Sequence, residues 1–265
     1  TSRLAQNSNI LGNTEESNKV NNRIENILGN VETPPSEKEE EIASYSTKVS
    51  GSTSNRLTNI RITCEKLNGT TVNTGETFSF GEITGPSTAE EGYKEATMFL
   101  DGKEVQSLGG GNCQVSSTLY NAVLDVPDLK VIERHEHGKK VSYVPDGKDA
   151  AVSYGSIDFK FKNNRDYPIK IEASYANSKL TCKIIGTNVD GSYVKFTSER
   201  TGDVAYNTKY ENDATIPEGQ QVTKQAGSNG GRAVSYRLVY DKDGKLLSKK
   251  KEAKSYYKGH EAIIA

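Results

Sequence analysis

Two short segments hold residues whose types and spacing could support nucleophilic chemistry. The first is the run GGGNC at residues 109–113, which leads into a predicted helix. A cysteine at a helix N-terminus faces unpaired backbone N–H groups and the positive end of the helix dipole, and both stabilise a thiolate. The second is the run RHEH at residues 134–137, on a predicted strand, where His135 and His137 are spaced to share one face. A thiolate and a nearby imidazole are the parts that nucleophilic cysteine catalysis needs.

The residue types also predict individual roles. Cys113 is the predicted nucleophile, and either histidine could be its base. We favour His137 as the base and His135 as a supporting residue. Glycines before the cysteine allow a substrate backbone to approach closely and let loop N–H groups point at a developing oxyanion. The candidate oxyanion or substrate-contacting residues in this run are Gly110, Gly111, Asn112 and Gln114. Arg134 points to the opposite face of a regular strand, and either a structural ion pair or a bound substrate carboxylate would explain it.

Other interpretations of these residues stay open. Cys113 could be a buried structural cysteine, and the two histidines could lie on the surface or bind a metal. One cysteine and two histidines leave a fourth metal ligand unnamed, so we expect neither a metal nor another cofactor. The third histidine, His260, is predicted to be a surface residue.

The other two cysteines fall in apolar periodic patterns. Cys64 lies on the apolar face of a helix that Ser54 or Asn55 is predicted to cap and that Asn68-Gly69 is predicted to end. Cys182 lies in a strand with alternating apolar residues. We therefore expect both thiols to be buried in the core. Three cysteines without a CxxC pair argue against a closed zinc site and allow at most one disulfide.

The composition of the 265 residues limits the class of protein. The 34 Lys and Arg residues against 35 Asp and Glu residues give a net charge of −1, which argues against binding nucleic acid through bulk positive charge. The chain is 33% hydrophobic and contains no tryptophan, which favours a polar surface and a β-rich structure. No apolar run approaches the ~20 residues that span a bilayer. Since the sequence starts at Thr1, a signal peptide or a membrane anchor is expected only upstream of it.

Hydrophobic periodicity predicts an α+β fold, in which a catalytic domain of helices and strands is followed by a small all-β domain. Residues 1–40 are interpreted as a linker or the tail of a preceding element, residues 41–189 as the catalytic domain and residues 190–265 as the all-β domain. A hairpin is predicted over residues 96–108, with Asp-Gly at its turn. The predicted strands nearest to the candidate site lie at residues 130–135, 141–144, 151–153 and 158–161.

Seven short motifs occur in order between about residues 45 and 187. They are Ser54-Asn55-Arg56 with Asn59-Ile60, GETFSF at 75–80 with Gly85, Gly92-Tyr93, GGGNCQVSSTLYNA at 109–122, ERHEH at 133–137, YVPDGKDA at 143–150 and DFKFKN at 158–163. Together these motifs resemble the VanW family. One departure is Gly138, where the family is expected to favour a serine. The glycine spacing after Asp190 resembles the G-five domain, a β module of bacterial surface proteins.

The resemblance implies an extracellular, wall-bound or membrane-anchored protein of Gram-positive bacteria. Some VanW members with an appended G-five domain are understood to be peptidoglycan L,D-transpeptidases. By that resemblance, Cys113 attacks the carbonyl of the third residue of a stem peptide, expels the terminal D-Ala and forms a thioester. An amine of a neighbouring stem then resolves the thioester into a 3→3 cross-link. The resemblance also implies that Tyr143 contacts substrate and that Asp149 orients an imidazole.

The expected partners are therefore peptidoglycan stem peptides and glycan, with no nucleic acid, and a carbapenem is expected to acylate the cysteine. Two alternative functions use the same residues. A Cys/His peptidase or L,D-carboxypeptidase would deliver water to the thioester, whereas a non-catalytic cell-wall-binding protein would keep Cys113 as a structural residue. Residues 190–265 contain one histidine and no cysteine, so we expect this module to be dispensable for bond chemistry and to bind glycan. The alternative is that the module packs against the catalytic domain and completes its substrate groove.

Overall fold

The computed structural model describes residues 38–100 and 103–265, with side chains described outside residues 98–104. The predicted linker at residues 1–40 therefore lies almost entirely outside the described residues. Helices and strands, numbered in chain order, are β1 (Glu40–Lys48), α1 (Ser54–Leu67), β2 (Thr71–Val72), β3 (Thr77–Ser79), α2 (Phe80–Thr84), β4 (Glu95–Leu100), β5 (Lys103–Leu108), α3 (Asn112–Leu124), β6 (Leu129–Glu133), β7 (Lys160–Asn163), β8 (Ile169–Ala176), β9 (Lys179–Gly186), β10 (Tyr193–Val204), β11 (Thr208–Tyr210), β12 (Thr223–Gln225), β13 (Gly230–Tyr240), β14 (Leu246–Tyr257) and β15 (Ala262–Ile264).

The described part of the chain is mostly β. It contains three helices and fifteen strands, so the predicted α+β class is confirmed only in part. The prediction of an all-β C-terminal region is confirmed, because every element from β10 to β15 is a strand. Within the described residues the strands form sheets of order β1-β9-β8-β2, β3-β7-β6, β10-β13-β14 and β11-β15-β12, together with the β4-β5 hairpin.

Helix α3 lies at the centre of the core. All its residues from Gln114 to Leu124 are buried, and it packs against α1, β1 and β9. Large apolar side chains such as Leu119 are fully buried, and each contributes about 1.5–3 kcal/mol relative to an exposed position. Packing along the whole helix therefore determines where its first turn lies.

Strands β10 and β13 of the C-terminal region pack against the far end of α3. Phe196 of β10 meets Tyr120 edge to face, with 5.5 Å between the ring centroids. Arg237 of β13 donates to the backbone oxygens of Leu124 at 3.2 Å and Leu129 at 2.7 Å. The Leu124 carbonyl belongs to the last turn of the helix, where backbone oxygens lack intrahelical donors. The all-β region thus packs against the same core helix as the preceding strands.

Several local predictions are confirmed and one is shifted. The hairpin is present as β4 and β5, which pair from Glu95 with Leu108 to Leu100 with Lys103, while its Asp-Gly turn lies outside the described residues. The N-cap of α1 is Thr53, one residue earlier than predicted, and its Oγ1 accepts from the backbone N of Arg56 at 3.3 Å. No helix in the described residues is long and apolar enough to cross a membrane.

The strand predictions around His135 and His137 are confirmed only in part. Strand β6 ends at Glu133, and beyond it His135 makes only an isolated bridge to Ala151. Residues 141–144, which were predicted to be extended, contain no strand. This segment is fixed by side-chain contacts instead of a ladder of backbone hydrogen bonds, so its period does not follow that of a strand.

Candidate active site

Cys113 lies in the first turn of α3, after a glycine that caps the helix. Gly111 has φ +119°, in the left-handed region that favours glycine. A Cβ on Gly111 would lie 2.9 Å from Cγ1 of Ile60, and one on Gly110 would lie 2.8 Å from the backbone oxygen of Ala96. Neighbouring protein atoms therefore occupy the space beside these glycines. The glycines let the helix start pack against α1 and β4, whereas the sequence had suggested that they leave room for a substrate.

The thiol of Cys113 faces the backbone oxygen of Val152, with Sγ at 3.4 Å, and the imidazole of His137. Burial would raise the pKa of this thiol, but the hydrogen bond and charge of His137 outweigh burial, and the pKa is lowered. Burial raises the pKa of Cys64 to about 12 and that of Cys182 well above the ordinary value. Both of these thiols are free and lie in the core, as predicted. Of the three cysteines, Cys113 has the surroundings that favour a thiolate.

His137 is held by the carboxylate of Asp149. Its Nδ1 lies 2.6 Å from Oδ2 of Asp149, and its backbone N donates to the same oxygen at 2.8 Å. Nε2 is the ring nitrogen left for the thiol, and it lies 3.4 Å from the hydroxyl of Tyr143. Burial would lower the pKa of His137, but hydrogen bonds with Asp149 and Cys113 raise it to about 9. A raised imidazole pKa beside a lowered thiol pKa favours an imidazolium–thiolate pair at neutral pH.

The carboxylate of Asp149 is completely buried and is surrounded by donors. Its Oδ1 accepts from Nη2 of Arg134 at 2.8 Å and from the hydroxyl of Tyr257 at 2.5 Å. Burial would raise the pKa of Asp149, but the hydrogen bonds and positive charges around it lower the pKa, so the group stays ionised. The side chain of Arg134 is only 5% exposed, so its position matches the structural ion pair and not the alternative of a substrate-binding residue.

His135 does not share a face with His137. Its Nε2 lies 3.1 Å from Oε1 of Glu133, and its side chain is 44% exposed. The two histidines diverge because the strand ends at Glu133 and the chain leaves the extended period before either of them. In the part of the chain that the structure describes, no group of three or more His, Cys, Asp or Glu side chains is arranged to hold a metal ion.

The side chains of Asn112 and Gln114 are engaged within the protein. Oε1 of Gln114 accepts from Nη2 of Arg56 at 2.8 Å, and its Nε2 donates to Oγ1 of Thr47 at 3.0 Å. Nδ2 of Asn112 donates to Oγ of Ser87 at 3.0 Å. These two side chains therefore position the start of α3, although the sequence had marked them as contacts for an oxyanion or a substrate.

Backbone N–H groups of the first helical turn are the other candidate donors. The N–H of Asn112 donates to the oxygen of Gly109 at 3.1 Å, and that of Gln114 donates to the oxygen of Gly111 at 3.0 Å. The N–H of Cys113 has no backbone acceptor within the described ranges. First-turn N–H groups lack intrahelical partners, and this one lies next to the thiol that would attack. It is therefore available to a developing oxyanion.

The region around Cys113 opens into a cleft with a volume of about 980 Å³. The cleft is lined by six of the predicted site residues, which are Gly111, Asn112, Cys113, Gln114, His137 and Tyr143. Its charged lining residues are Lys48, Arg56, Lys140 and Asp158. Gly110, Arg134, His135 and Asp149 do not line it. The carboxylate of Asp158 is occupied inside the protein, because it accepts from the backbone N of Gly81 at 2.8 Å and from Oγ of Ser79 at 2.5 Å. The remaining positive side chains suit a ligand that carries negative charge.

Sequence reasoning missed two residues of this site. Arg56, in the first turn of α1, lines the cleft near Cys113 and contacts Gln114. Tyr257, at the end of β14, reaches Asp149 from 108 residues further along the chain. Arg56 belongs to one of the motifs that carry the family resemblance, which was an available signal. The sequence contains no local pattern that would have marked Tyr257.

Comparisons with known proteins match two consecutive segments of the chain. Residues 55–185 match the family described as VanW like protein, and residues 195–264 match the G5 domain. The uncharacterized protein YoaR of Bacillus subtilis is 36% identical over 156 residues, which cover 59% of this chain and 51% of that protein. The chain thus spans about half the length of YoaR.

Two further comparisons concern a second relative and a solved structure. The vancomycin B-type resistance protein VanW of Enterococcus faecalis is 27% identical over 198 residues, which cover 72% of this chain and 70% of that protein. A solved G5 domain of an IgA1 protease is 16% identical, covers 29% of this chain and 89% of that structure, and superposes with a TM-score of 0.22. The chain therefore carries a VanW-like domain at residues 55–185 followed by a G5 domain at residues 195–264.

Proposed function

We propose that this protein is a cell-wall enzyme, an L,D-transpeptidase that forms 3→3 peptidoglycan cross-links through a thioester on Cys113. The observation that carries the proposal is the alignment of three side chains. The thiol with a lowered pKa lies beside His137, whose other ring nitrogen is 2.6 Å from the buried carboxylate of Asp149. This arrangement contains a nucleophile, a proton carrier and an orienting group, which are the parts that acyl transfer requires.

In the first half-reaction, the thiolate of Cys113 attacks the carbonyl carbon of the third residue of a stem peptide. The carbonyl oxygen becomes an oxyanion, and the free N–H of Cys113 is placed to donate to it. The imidazolium of His137 gives its proton to the nitrogen of the terminal D-Ala as the C–N bond breaks. D-Ala leaves as a neutral amine, and the acyl group remains on Sγ as a thioester.

In the second half-reaction, the side-chain amine of the third residue of another stem attacks the thioester carbonyl. His137, now neutral, accepts the proton from this amine while the C–S bond breaks. The thiolate and the imidazolium are thereby restored, and an amide joins the two third residues. Asp149 stays ionised throughout and stabilises the positive form of His137 by its hydrogen bond to Nδ1.

Arg56 is the residue best placed to bind a substrate carboxylate. Its guanidinium lines the cleft, and its hydrogen-bond acceptors within the described residues are Oγ of Ser52 and Oε1 of Gln114, both uncharged. No carboxylate of the described residues lies within ion-pair distance of it, whereas the guanidinium of Arg134 is paired with Asp149. Stem peptides carry free carboxylates, and a charge-assisted hydrogen bond to one of them would orient the peptide over Cys113.

A role at the cell wall agrees with the two family matches. The similarity to a vancomycin resistance protein and the presence of a G5 domain support a cell-wall-associated protein that meets stem peptides and glycan outside the membrane. A carbapenem, which presents a strained amide carbonyl, should acylate Cys113 by the same first step. The C–N bond of the β-lactam ring breaks, and the whole ring-opened molecule stays on Sγ as a thioester, because no D-Ala is released.

The test is incubation of the protein with purified disaccharide-tetrapeptides, followed by mass spectrometry of the products. Transpeptidation predicts dimers whose mass equals two monomers less one D-Ala, and no dimers with the Cys113→Ala variant. If tripeptide monomers form without dimers, the protein is an L,D-carboxypeptidase and not a transpeptidase. Neither product, together with no carbapenem adduct on the intact protein, would favour a protein that only binds the wall.

A further inference from the structure

The last residues of β14 in the G5 domain contact the residues that hold His137. The ring of Tyr257 is fully buried, and its hydroxyl donates to Oδ1 of Asp149 at 2.5 Å. The same hydroxyl accepts from the backbone N of Gly147 at 2.6 Å. Both hydrogen-bonding directions of the hydroxyl are therefore used, which determines the orientation of the ring and of the carboxylate that it contacts.

Further contacts attach the same strand and its neighbours to the loop that carries His137, and three of them show how the loop is held. Oγ of Ser255 accepts from Nη1 of Arg134 at 2.9 Å. The backbone N of Lys258 donates to the oxygen of Gly138, the residue after His137, at 2.9 Å. Arg200 of β10 donates to Oδ2 of Asp146 at 2.7 Å. The loop from Arg134 to Asp149 has no regular strand of its own, so these contacts replace the missing ladder.

We propose that the G5 domain is part of the active site, and that Tyr257 is a positioning residue which orients His137 toward Cys113 by fixing the carboxylate of Asp149. This inference rests on the proposed function, because it assumes that His137 serves Cys113. It departs from the sequence-based expectation that residues 190–265 are dispensable for bond chemistry. A domain that merely tethers the enzyme to glycan would not need a buried side chain in contact with the residue that orients the base.

The two oxygens of the Asp149 carboxylate accept hydrogen bonds from different groups. Oδ2 of Asp149 serves His137, while Oδ1 is held by Arg134 and Tyr257. Loss of the Tyr257 hydroxyl leaves a single donor on Oδ1, so the carboxylate can rotate about its Cβ–Cγ bond and take the imidazole with it. Displacement of a reacting group by about 1 Å can reduce a rate ~10²-fold. Arg134 keeps the carboxylate ionised, so the expected loss is one of orientation and not of charge.

The titratable groups around Asp149 come from three parts of the fold. His137 and Arg134 face it from its own loop, and Tyr257 faces it from β14. Cys113 and Tyr120 of α3 are the nearest titratable groups on the helix side, and Tyr143 lies on the cleft side. The pKa of Cys113 is lowered and that of His137 is raised to about 9, in both cases against the effect of burial and with a contribution from their mutual contact, so a pH profile of thiol reactivity reports on that pair.

The experiment measures the rate at which iodoacetamide alkylates Cys113 in the full chain between pH 5 and pH 10, with the site identified by peptide mass spectrometry. For Tyr257→Phe we expect the acid limb of the profile to move to higher pH and the rate at pH 7 to fall about tenfold. The matched control is Tyr256→Phe, the exposed neighbour on the same strand, which should leave the profile unchanged. Ser255→Ala, which removes the contact with Arg134 and keeps every ring, should shift the profile in the same direction by a smaller amount.

An unchanged profile in both folded Tyr257→Phe and Ser255→Ala overturns the positioning role and leaves the proposed function intact. A shift to lower pH also overturns it, because the hydroxyl would then withdraw charge from Asp149 instead of fixing its orientation. If the unaltered protein alkylates with the profile of an ordinary thiol, the proposed function fails together with the inference. If Tyr257→Phe does not fold, the Ser255→Ala profile decides the matter by the same criteria.

Discussion

The two halves of the candidate site are built in different ways. Cys113 lies on a buried helix, and its position follows from a glycine cap and from the packing of α3 against α1, β1 and β9. His137 lies on a loop with no regular secondary structure, and its position follows from side chains that are distant in sequence, above all Asp149 and Tyr257. The position of Cys113 is therefore fixed by a helix, whereas the position of His137 is fixed by a network of side-chain hydrogen bonds.

This difference matters for how the site can fail. Damage to a buried helix lowers the stability of the whole domain, because the same contacts hold the core and the thiol. Damage to the network can displace the imidazole while the core stays folded, because its members are polar side chains at the junction with the G5 domain. Variants of the helix start and of the network should therefore differ in whether they change stability or only thiol reactivity.

The largest effect should come from Cys113→Ala. The change removes the nucleophile and only one sulfur atom of packing, so we expect no detectable acylation by a carbapenem and an unchanged melting temperature. Intact-protein mass spectrometry and thermal unfolding measure the two quantities. Cys64→Ala is the matched control, since that thiol is buried in the core: it should lower stability and keep acylation. Residual acylation of Cys113→Ala would place the nucleophile elsewhere.

A smaller loss should separate the two histidines. His137→Ala removes the proton carrier and should slow acylation ~10²–10⁴-fold, the range for loss of a general acid–base group. His135→Ala should stay within about twofold of the unaltered protein, because His135 contacts Glu133 and does not line the cleft. Stopped-time acylation assays with both variants measure the difference. Equal losses would mean that the loop brings both rings to the thiol in solution.

Arg56→Gln tests whether the cleft recognises a carboxylate. A hydrogen bond to a charged group is worth about 1.5–3 kcal/mol, so the apparent affinity for a tetrapeptide stem should fall ~10- to 100-fold. Alkylation of Cys113 by uncharged iodoacetamide should change little, which distinguishes substrate binding from damage to the helix start. Arg61→Gln, an exposed position on the same helix, is the control. If Arg56→Gln lowers the affinity for the tetrapeptide and the rate of alkylation by iodoacetamide equally, then Arg56 only supports Gln114 and the start of α3.

The smallest effect is the dependence of acylation on pH. The pKa of the Cys113 thiol is lowered, so at a given pH more thiolate is present than for an ordinary thiol, and protonation of the thiolate reduces the rate on the acid side. The pKa of His137 is raised to about 9, so the imidazolium is lost, and the rate falls, as the pH rises through about 9. At pH 10 only about a tenth of the imidazolium would remain. A rate that keeps rising to pH 10 would show that the thiolate needs no imidazolium beside it.

Much of the nucleophile half was predictable from the sequence. The glycine run, the start of α3 close to Cys113 and the burial of Cys64 and Cys182 all follow from local pattern and periodicity. The family resemblance added Asp149, which no local pattern would have selected. The prediction that His135 and His137 share one face is wrong, because it assumed a strand that includes both residues, whereas β6 ends at Glu133.

The sequence by itself therefore determined which residues are candidates for nucleophilic chemistry, where the helix begins and which thiol lies outside the apolar pattern. Tertiary structure alone decided which histidine meets the thiol, which arginine lines the cleft and that Tyr257 of the G5 domain touches Asp149. The physical reason is the range of the forces that set each feature. Helix caps and periodicity act over a few residues and leave a signature in the sequence, whereas the hydrogen bonds around Asp149 join residues that are up to 108 positions apart and depend on how the sheets pack.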